Sequence, residues 1–205
     1  TLGRMLIGML PTTSGTISFD GETVDPANRT SMARLRRRAQ LVFQDPYSAL
    51  NPKLTVGSAL KEVLIHAGVN ASEATHQARR LLEEVGLEAS DAAKYPGGFS
   101  GGQRQRIVIA RALAMEPEFV VLDESVAALD VQIQRDVLEL LDRIGRERKL
   151  TYLFISHDLD VVASFCNRLV ILEKGHIVEA GETEDILRQP TTEYTTELLA
   201  SRPKN

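Results

Sequence analysis

The chain has 205 residues, 43% of them hydrophobic and 25% charged, with a formal net charge of −4. This is an ordinary balance for a globular protein, and its acidic sign disfavours a general nucleic-acid binder. A single cysteine, Cys166, excludes an internal disulfide and fits a reducing compartment, and no apolar run approaches the length of a membrane span. No signal peptide opens the chain, so any work at a membrane is expected to pass through partner chains.

Leu2 to Met9 reads as a helix broken by Pro11 and Gly15. Thr16 to Phe19 alternates like a strand and meets the turn pair Asp20-Gly21. Ser31 to Arg38 is a short basic helix, whose run Arg34-Leu35-Arg36-Arg37-Arg38 fits a solvated face. Ala39 to Gln44 is a strand stopped by Asp45-Pro46, and Tyr47 to Pro52 has the composition of a loop. Thr55 caps a helix closed by Gly68, and Ser72 caps a second that Gly86 ends, with Ala78, Leu81, Leu82 and Val85 on one face. From Leu54 to Lys94 there is no strand pattern.

After Gly102 the order becomes helix, strand, helix, strand. Gln103 to Met115 is a helix with Ile107, Ala110, Leu113 and Ala114 inward. Glu118 to Leu122 has the apolar run of a strand buried on both faces. Asp130 caps a helix with Ile133, Val137, Leu140, Leu141 and Ile144 inward. Thr151 to Ile155 is another buried strand, Leu169 to Glu173 and His176 to Glu179 form a hairpin about Lys174-Gly175, and two short helices follow. Alternating strands and helices imply an α/β core with a mostly parallel sheet and helices on both faces, carrying an inserted helical subdomain. The divisions expected are a partial core over 1–53, a helical subdomain over 54–99, core again over 100–182, and a helical tail over 183–205.

Ser100-Gly101-Gly102-Gln103 opens a helix. Its first amides are donors at the positive end of the helix, and the glycines admit close backbone approach, so an anion is stabilised there. Alone, the run would be only a capped helix after a loop. Asp123 and Glu124, however, end an apolar strand, where open α/β sheets bind ligands. One carboxylate can orient Mg²⁺ through water, and the next can polarise an attacking water, a role worth roughly 10²–10⁴ in rate. His157 follows the next strand, where it can contact a γ-phosphate. Gln44 ends a strand, and its amide can ligate Mg²⁺ or water.

Taken together these segments resemble the ATP-binding subunits of ABC transporters, over essentially the whole chain and in order. Ser100 to Gln103, with Arg104-Gln105-Arg106, resembles the signature motif. Val120 to Glu124 resembles Walker B, with Glu124 as catalytic base. Ala128-Leu129-Asp130 resembles the D-loop, His157 the switch histidine and Gln44 the Q-loop glutamine. The resemblance implies a P-loop NTPase-like fold, ATP and Mg²⁺ as cofactors, and head-to-tail pairing of two such subunits. It gives Glu124 and His157 catalytic roles. Ser100, Gly101, Gly102, Gln103, Asp130 and Thr1 fall to ATP, and Gln44 and Asp123 to the metal. The stretch Phe43 to Pro52, Asp130 to Gln134 and the tail Tyr194 to Leu199 are similar to the peptide/nickel/opine importer subfamily. This implies a peripheral protein at the cytoplasmic face of the membrane, working with permease subunits, indirectly with a solute-binding protein, and without nucleic acid.

The sequence departs from that pattern at Phe99 in place of leucine, Gly97-Gly98 in place of a His-Glu pair, Ser125 in place of proline and Ala127 in place of serine. No Gly-x-x-x-x-Gly-Lys-[Ser/Thr] run is present, although Thr1 to Arg4 resemble the residues just after it. The expectation is an N-terminally truncated segment, since Glu124 and His157 are both retained. A non-catalytic fragment presenting only its signature face, a degenerate subunit and a non-transport ABC ATPase stand as the alternatives.

Overall fold

The computed structural model describes residues 1–43 and 45–201, which fall into two units, Thr1–Ile155 and the chain from Ser156 onward. In the first, helix α1 (Leu2–Leu6) is shorter than the sequence pattern suggests. Gly8 takes φ +69° and its amide returns to the Met5 carbonyl, ending the helix ahead of Pro11. Strands β1 (Ile17–Phe19) and β2 (Glu22–Val24) form the expected hairpin, with Asp20 and Gly21 both at positive φ in the turn. Helix α2 (Arg29–Arg38) begins ahead of Ser31, because the Asn28 side chain accepts from the amides of Thr30 and Ser31.

Strand β3 (Ala39–Val42) leads to a difference from expectation. The segment after it, read as a loop, opens with a helical turn, α3 (Pro46–Ala49). Asp45 caps it through the Tyr47 amide at 2.8 Å, and Pro46 sits at the first helical position, where its missing N–H costs nothing. Helices α4 (Val56–His66) and α5 (Ala71–Glu84) pack as a pair burying Val56, Leu60, Leu64, Ala74, Ala78 and Leu82. Thr55 caps α4 as expected. The cap of α5 is Asn70 rather than Ser72, whose hydroxyl instead donates to the Asn70 side-chain oxygen. Gly68 and Gly86 close the two helices at positive φ.

Two 3₁₀ turns, Ala89–Ala93 and Pro96–Gly98, lead into α6 (Gly101–Leu113). Then come β4 (Phe119–Asp123), α7 (Val131–Arg148) and β5 (Thr151–Ile155). The three strands form a parallel sheet in the order β3-β4-β5, in which Leu41, Val121 and Leu153 share one rung and Val42, Leu122 and Phe154 the next. Val120, Val121 and Leu122 are buried, as the uninterrupted apolar run of β4 requires of a strand covered on both faces. Val137, Leu140, Leu141 and Ile144 of α7 are buried as expected. The Arg148 guanidinium grips both Glu84 carboxylate oxygens, at 2.6 and 2.5 Å, holding the end of α7 to the end of α5.

In the second unit Asp158 caps α8 (Leu159–Phe165). Strands β6 (Arg168–Glu173) and β7 (His176–Glu182) pair antiparallel, with Lys174 and Gly175 both at positive φ in the turn. Helices α9 (Thr183–Arg188) and α10 (Glu193–Ala200) follow. Glu179 of β7 is 8% exposed, and its carboxylate accepts from the Thr191 amide and hydroxyl and from the Thr192 hydroxyl.

Candidate nucleotide site

Strand β4 delivers Asp123 and Glu124 to the C-terminal end of the sheet. Asp123 is its last residue, paired in register with Ile155 of β5, and is half-buried. Glu124 leaves the strand at φ +51°, a conformation that disfavours a side chain, and its amide donates to the Ile155 carbonyl at 2.9 Å. That bond continues the β4–β5 ladder one residue beyond the strand and fixes where the Glu124 side chain begins. The turn that follows closes with the Ala127 amide on the Glu124 carbonyl and the Leu129 amide on the Val126 carbonyl. It ends at Asp130, whose carboxylate accepts from the Ile133 amide at 3.0 Å and starts α7.

The same turn meets the start of α6. Gly102 has no room for a side chain, because a Cβ there would collide with Ile133 Cγ2, and one at Gly101 would come to 3.9 Å from Leu129. Thus Gly101, Gly102 and Asp130 lie together. Ser100 and Gln103 form a reciprocal cap. The Ser100 hydroxyl accepts from the Gln103 amide at 3.3 Å, and the Gln103 side-chain oxygen accepts from the Ser100 amide at 3.0 Å. With those donors engaged, the amides of Gly101 and Gly102 remain as first-turn donors at the positive end of a thirteen-residue helix.

Thr1 precedes α1, its carbonyl accepting from the Met5 amide. Helix α1 lies on the sheet: a Cβ at Gly3 would fall 2.8 Å from Val121 and 3.3 Å from Ile155, so this glycine sets how closely the helix approaches the strands. His157 lies in the second unit, exposed, two residues beyond the end of β5. Asp158 beside it donates its amide to the Ser156 hydroxyl. Gln44 lies outside the described residues. Among the described residues no cluster of three or more His, Cys, Asp or Glu side chains could hold a metal.

Sequence reasoning placed Arg104 and Arg106 in the signature segment but missed the contacts that the arginines of α6 make. Arg104 donates from Nε to the Pro96 carbonyl at 2.8 Å and from a terminal nitrogen to the Gly97 carbonyl at 3.2 Å, and its guanidinium lies 4.0 Å over the Tyr47 ring. Arg106 donates to the Val85 carbonyl and Arg111 to the Ala49 carbonyl. The available clue was three arginines in a helix otherwise rich in buried apolar residues. Also missed was a groove of about 780 Å³ whose lining includes Tyr47, Leu50, Pro52, Glu62, Val63 and His66.

A parallel sheet that ends in adjacent carboxylates, beside a glycine-opened helix N-terminus, defines an α/β protein of the P-loop NTPase-like kind. Residues 1–127 match the ABC transporter family. A peptide import ATP-binding protein of Brucella abortus is 47% identical over 206 residues, covering 100% of this chain and 62% of that protein. A glutathione import ATP-binding protein of Pectobacterium atrosepticum is 43% identical over 204 residues, covering 99% of this chain and 33% of that protein. Among solved structures, cbiO1 of Clostridium perfringens, part of an ABC transporter complex, superposes with a TM-score of 0.83 at 27% identity over 92% of this chain and 74% of that one. A dimeric ATP-binding cassette in a post-hydrolysis state with ADP and Pi gives 0.76 at 26% identity over 89% and 79%. The chain belongs to the ABC transporter family. It spans less than two thirds of the length of these curated relatives.

Proposed function

We propose that this chain is the greater part of an ATP-binding and hydrolysing subunit that powers import of peptides or a related small solute. The observation that carries the reading is the turn from Asp123 to Asp130. It places two carboxylates at the end of the central strand and packs its far end against the glycine-opened start of α6. In this reading Glu124 accepts a proton from the attacking water, its position set by the Ile155 carbonyl. His157 is assigned to the γ-phosphate.

The amides of Gly101 and Gly102, with Ser100 and Gln103, serve a γ-phosphate held by a second copy or close relative facing head to tail. The dimeric form of the ADP-bound cassette supports this pairing. Asp130 and Thr1 are assigned to ATP in the same reading. The donors to Mg²⁺ offered here are Asp123, acting through water, and Gln44; the carboxylate is the chemistry a hard dication prefers. When bound, the ion neutralises the triphosphate.

Helix α4, within the proposed subdomain 54–99, lines one wall of the 780 Å³ groove through Ala59, Glu62, Val63 and His66, and we assign this groove to a permease partner. Among the described residues no helix is long and apolar enough to cross a membrane. The place proposed for the chain is peripheral, at the cytoplasmic face, held by that permease. The names of the relatives support peptide or glutathione-like cargo, with selection left to the permease and a solute-binding protein.

The test is steady-state ATP hydrolysis by the full-length protein, with and without Glu124→Gln. Turnover that falls by roughly 10²–10⁴ supports the assignment, and an unchanged rate overturns it.

A further inference from the structure

We propose that Arg104 is a positioning residue, coupling the Tyr47 wall of the groove to the loop that presents Ser100–Gly102; this rests on the function proposed above. One side chain holds both structures at once. Its guanidinium carbon lies 4.0 Å from the centroid of the Tyr47 ring, while its Nε and one terminal nitrogen hold the carbonyls of Pro96 and Gly97. Those carbonyls belong to the turn immediately before Phe99 and Ser100, so displacing Arg104 releases the approach to the helix N-terminus. Tyr47 is 63% exposed and lines the groove, so an occupant of the groove meets the side chain that Arg104 contacts.

The rest of the contact is stiff. Two turns further along α6, Arg111 donates to the Ala49 carbonyl at 2.7 Å, holding the other end of α3. The four-residue helix α3 is thus tied to α6 at two points. The planar fork matters: a lysine keeps the charge but can neither stack on the ring nor grip two carbonyls in fixed geometry.

The experiment uses the full-length protein with Arg104→Lys, Tyr47→Ala, Tyr47→Phe and the Arg104→Lys/Tyr47→Ala double variant. Steady-state ATP hydrolysis and amide hydrogen exchange over Gly97–Gln103 are read for each. Arg104→Lys and Tyr47→Ala should each lower kcat about fivefold with KM unchanged. The double variant should be no worse than either single, and Tyr47→Phe should match wild type because the ring face is kept. Exchange over Gly97–Gln103 should rise about tenfold in Arg104→Lys and Tyr47→Ala and stay at the wild-type level in Tyr47→Phe. Losses that multiply in the double variant, or exchange that does not change in the singles, overturn the coupling. If the wild-type protein does not hydrolyse ATP, the proposed function fails, and the exchange pattern still decides whether Arg104 links the two structures.

Discussion

The amide of Glu124 donates to the carbonyl of Ile155 at 2.9 Å while Glu124 itself stands at φ +51°. One bond therefore ties the proposed base to the neighbouring strand and holds it in a backbone region that costs a side-chain-bearing residue about 1–2 kcal/mol. Strain at an observed outlier of this kind is kept where the surroundings impose it. Glycine at this position should accordingly be more stable than alanine by about 1 kcal/mol, a difference urea denaturation resolves. Equal midpoints for Glu124→Gly and Glu124→Ala would show that the strain is not stored there.

The two glycines of the signature segment separate stability from function. At Gly102 a methyl group meets Ile133, so Gly102→Ala should destabilise by about 1–3 kcal/mol through overpacking, with part recovered when Ile133→Ala is added. Gly101 has ordinary clearance, with Leu129 at 3.9 Å from the added carbon. Gly101→Ala should therefore melt within about 1 °C of wild type and still lose most ATP turnover in the full-length protein, because the added methyl crowds the amide proposed to face the phosphate. A fully active Gly101→Ala variant argues against that face being used.

Much of this arrangement was legible where local chemistry decides it. Thr55, Ser100 and Asp130 cap their helices as their side chains and spacing suggest, and the apolar run of β4 reads directly as a central strand. Competition between adjacent polar residues was not legible: Asn70 takes the cap from Ser72, and Asn28 starts α2 ahead of Ser31. Asp45-Pro46 stops a strand and starts a helix with the same two residues, so the sequence reading saw only the stop. The contacts of Arg104 and Arg111 join residues 57 and 62 positions apart, with no periodic pattern to betray them.

Two buried polar groups near the site give a third test. Both amide atoms of Gln105 and the hydroxyl of Ser125 are buried without a hydrogen-bond partner among the described residues, and these residues are 0% and 2% exposed. An unsatisfied buried polar group costs about 1–3 kcal/mol, so Gln105→Met and Ser125→Ala, which keep size while removing the polar atoms, should each raise the urea midpoint. Loss of stability in either variant would mean that the group is satisfied by a bound water.

Glu179 sets a pH dependence whose sign follows from its partners. The Thr195 hydroxyl, paired with the Thr192 hydroxyl at 2.8 Å, and then the amide and hydroxyl of Thr191 outweigh the opposing effect of burial and hold its carboxyl down to about 2, well below an ordinary glutamate. A carboxylate depressed in the folded state contributes stability that is fully present above its unfolded value, near 4.5, and is lost as pH falls from there toward 2. Glu179→Gln keeps the shape but removes the charge that these donors favour, so it should melt lower than wild type at neutral pH. The gap should hold constant above about pH 5 and narrow steadily below it, as the wild-type carboxylate takes up its proton. Thermal midpoints of the two proteins from pH 7 to pH 2.5 measure this directly. A gap that stays constant down to pH 2.5 would show that the charge on Glu179 does not hold α10 against β7.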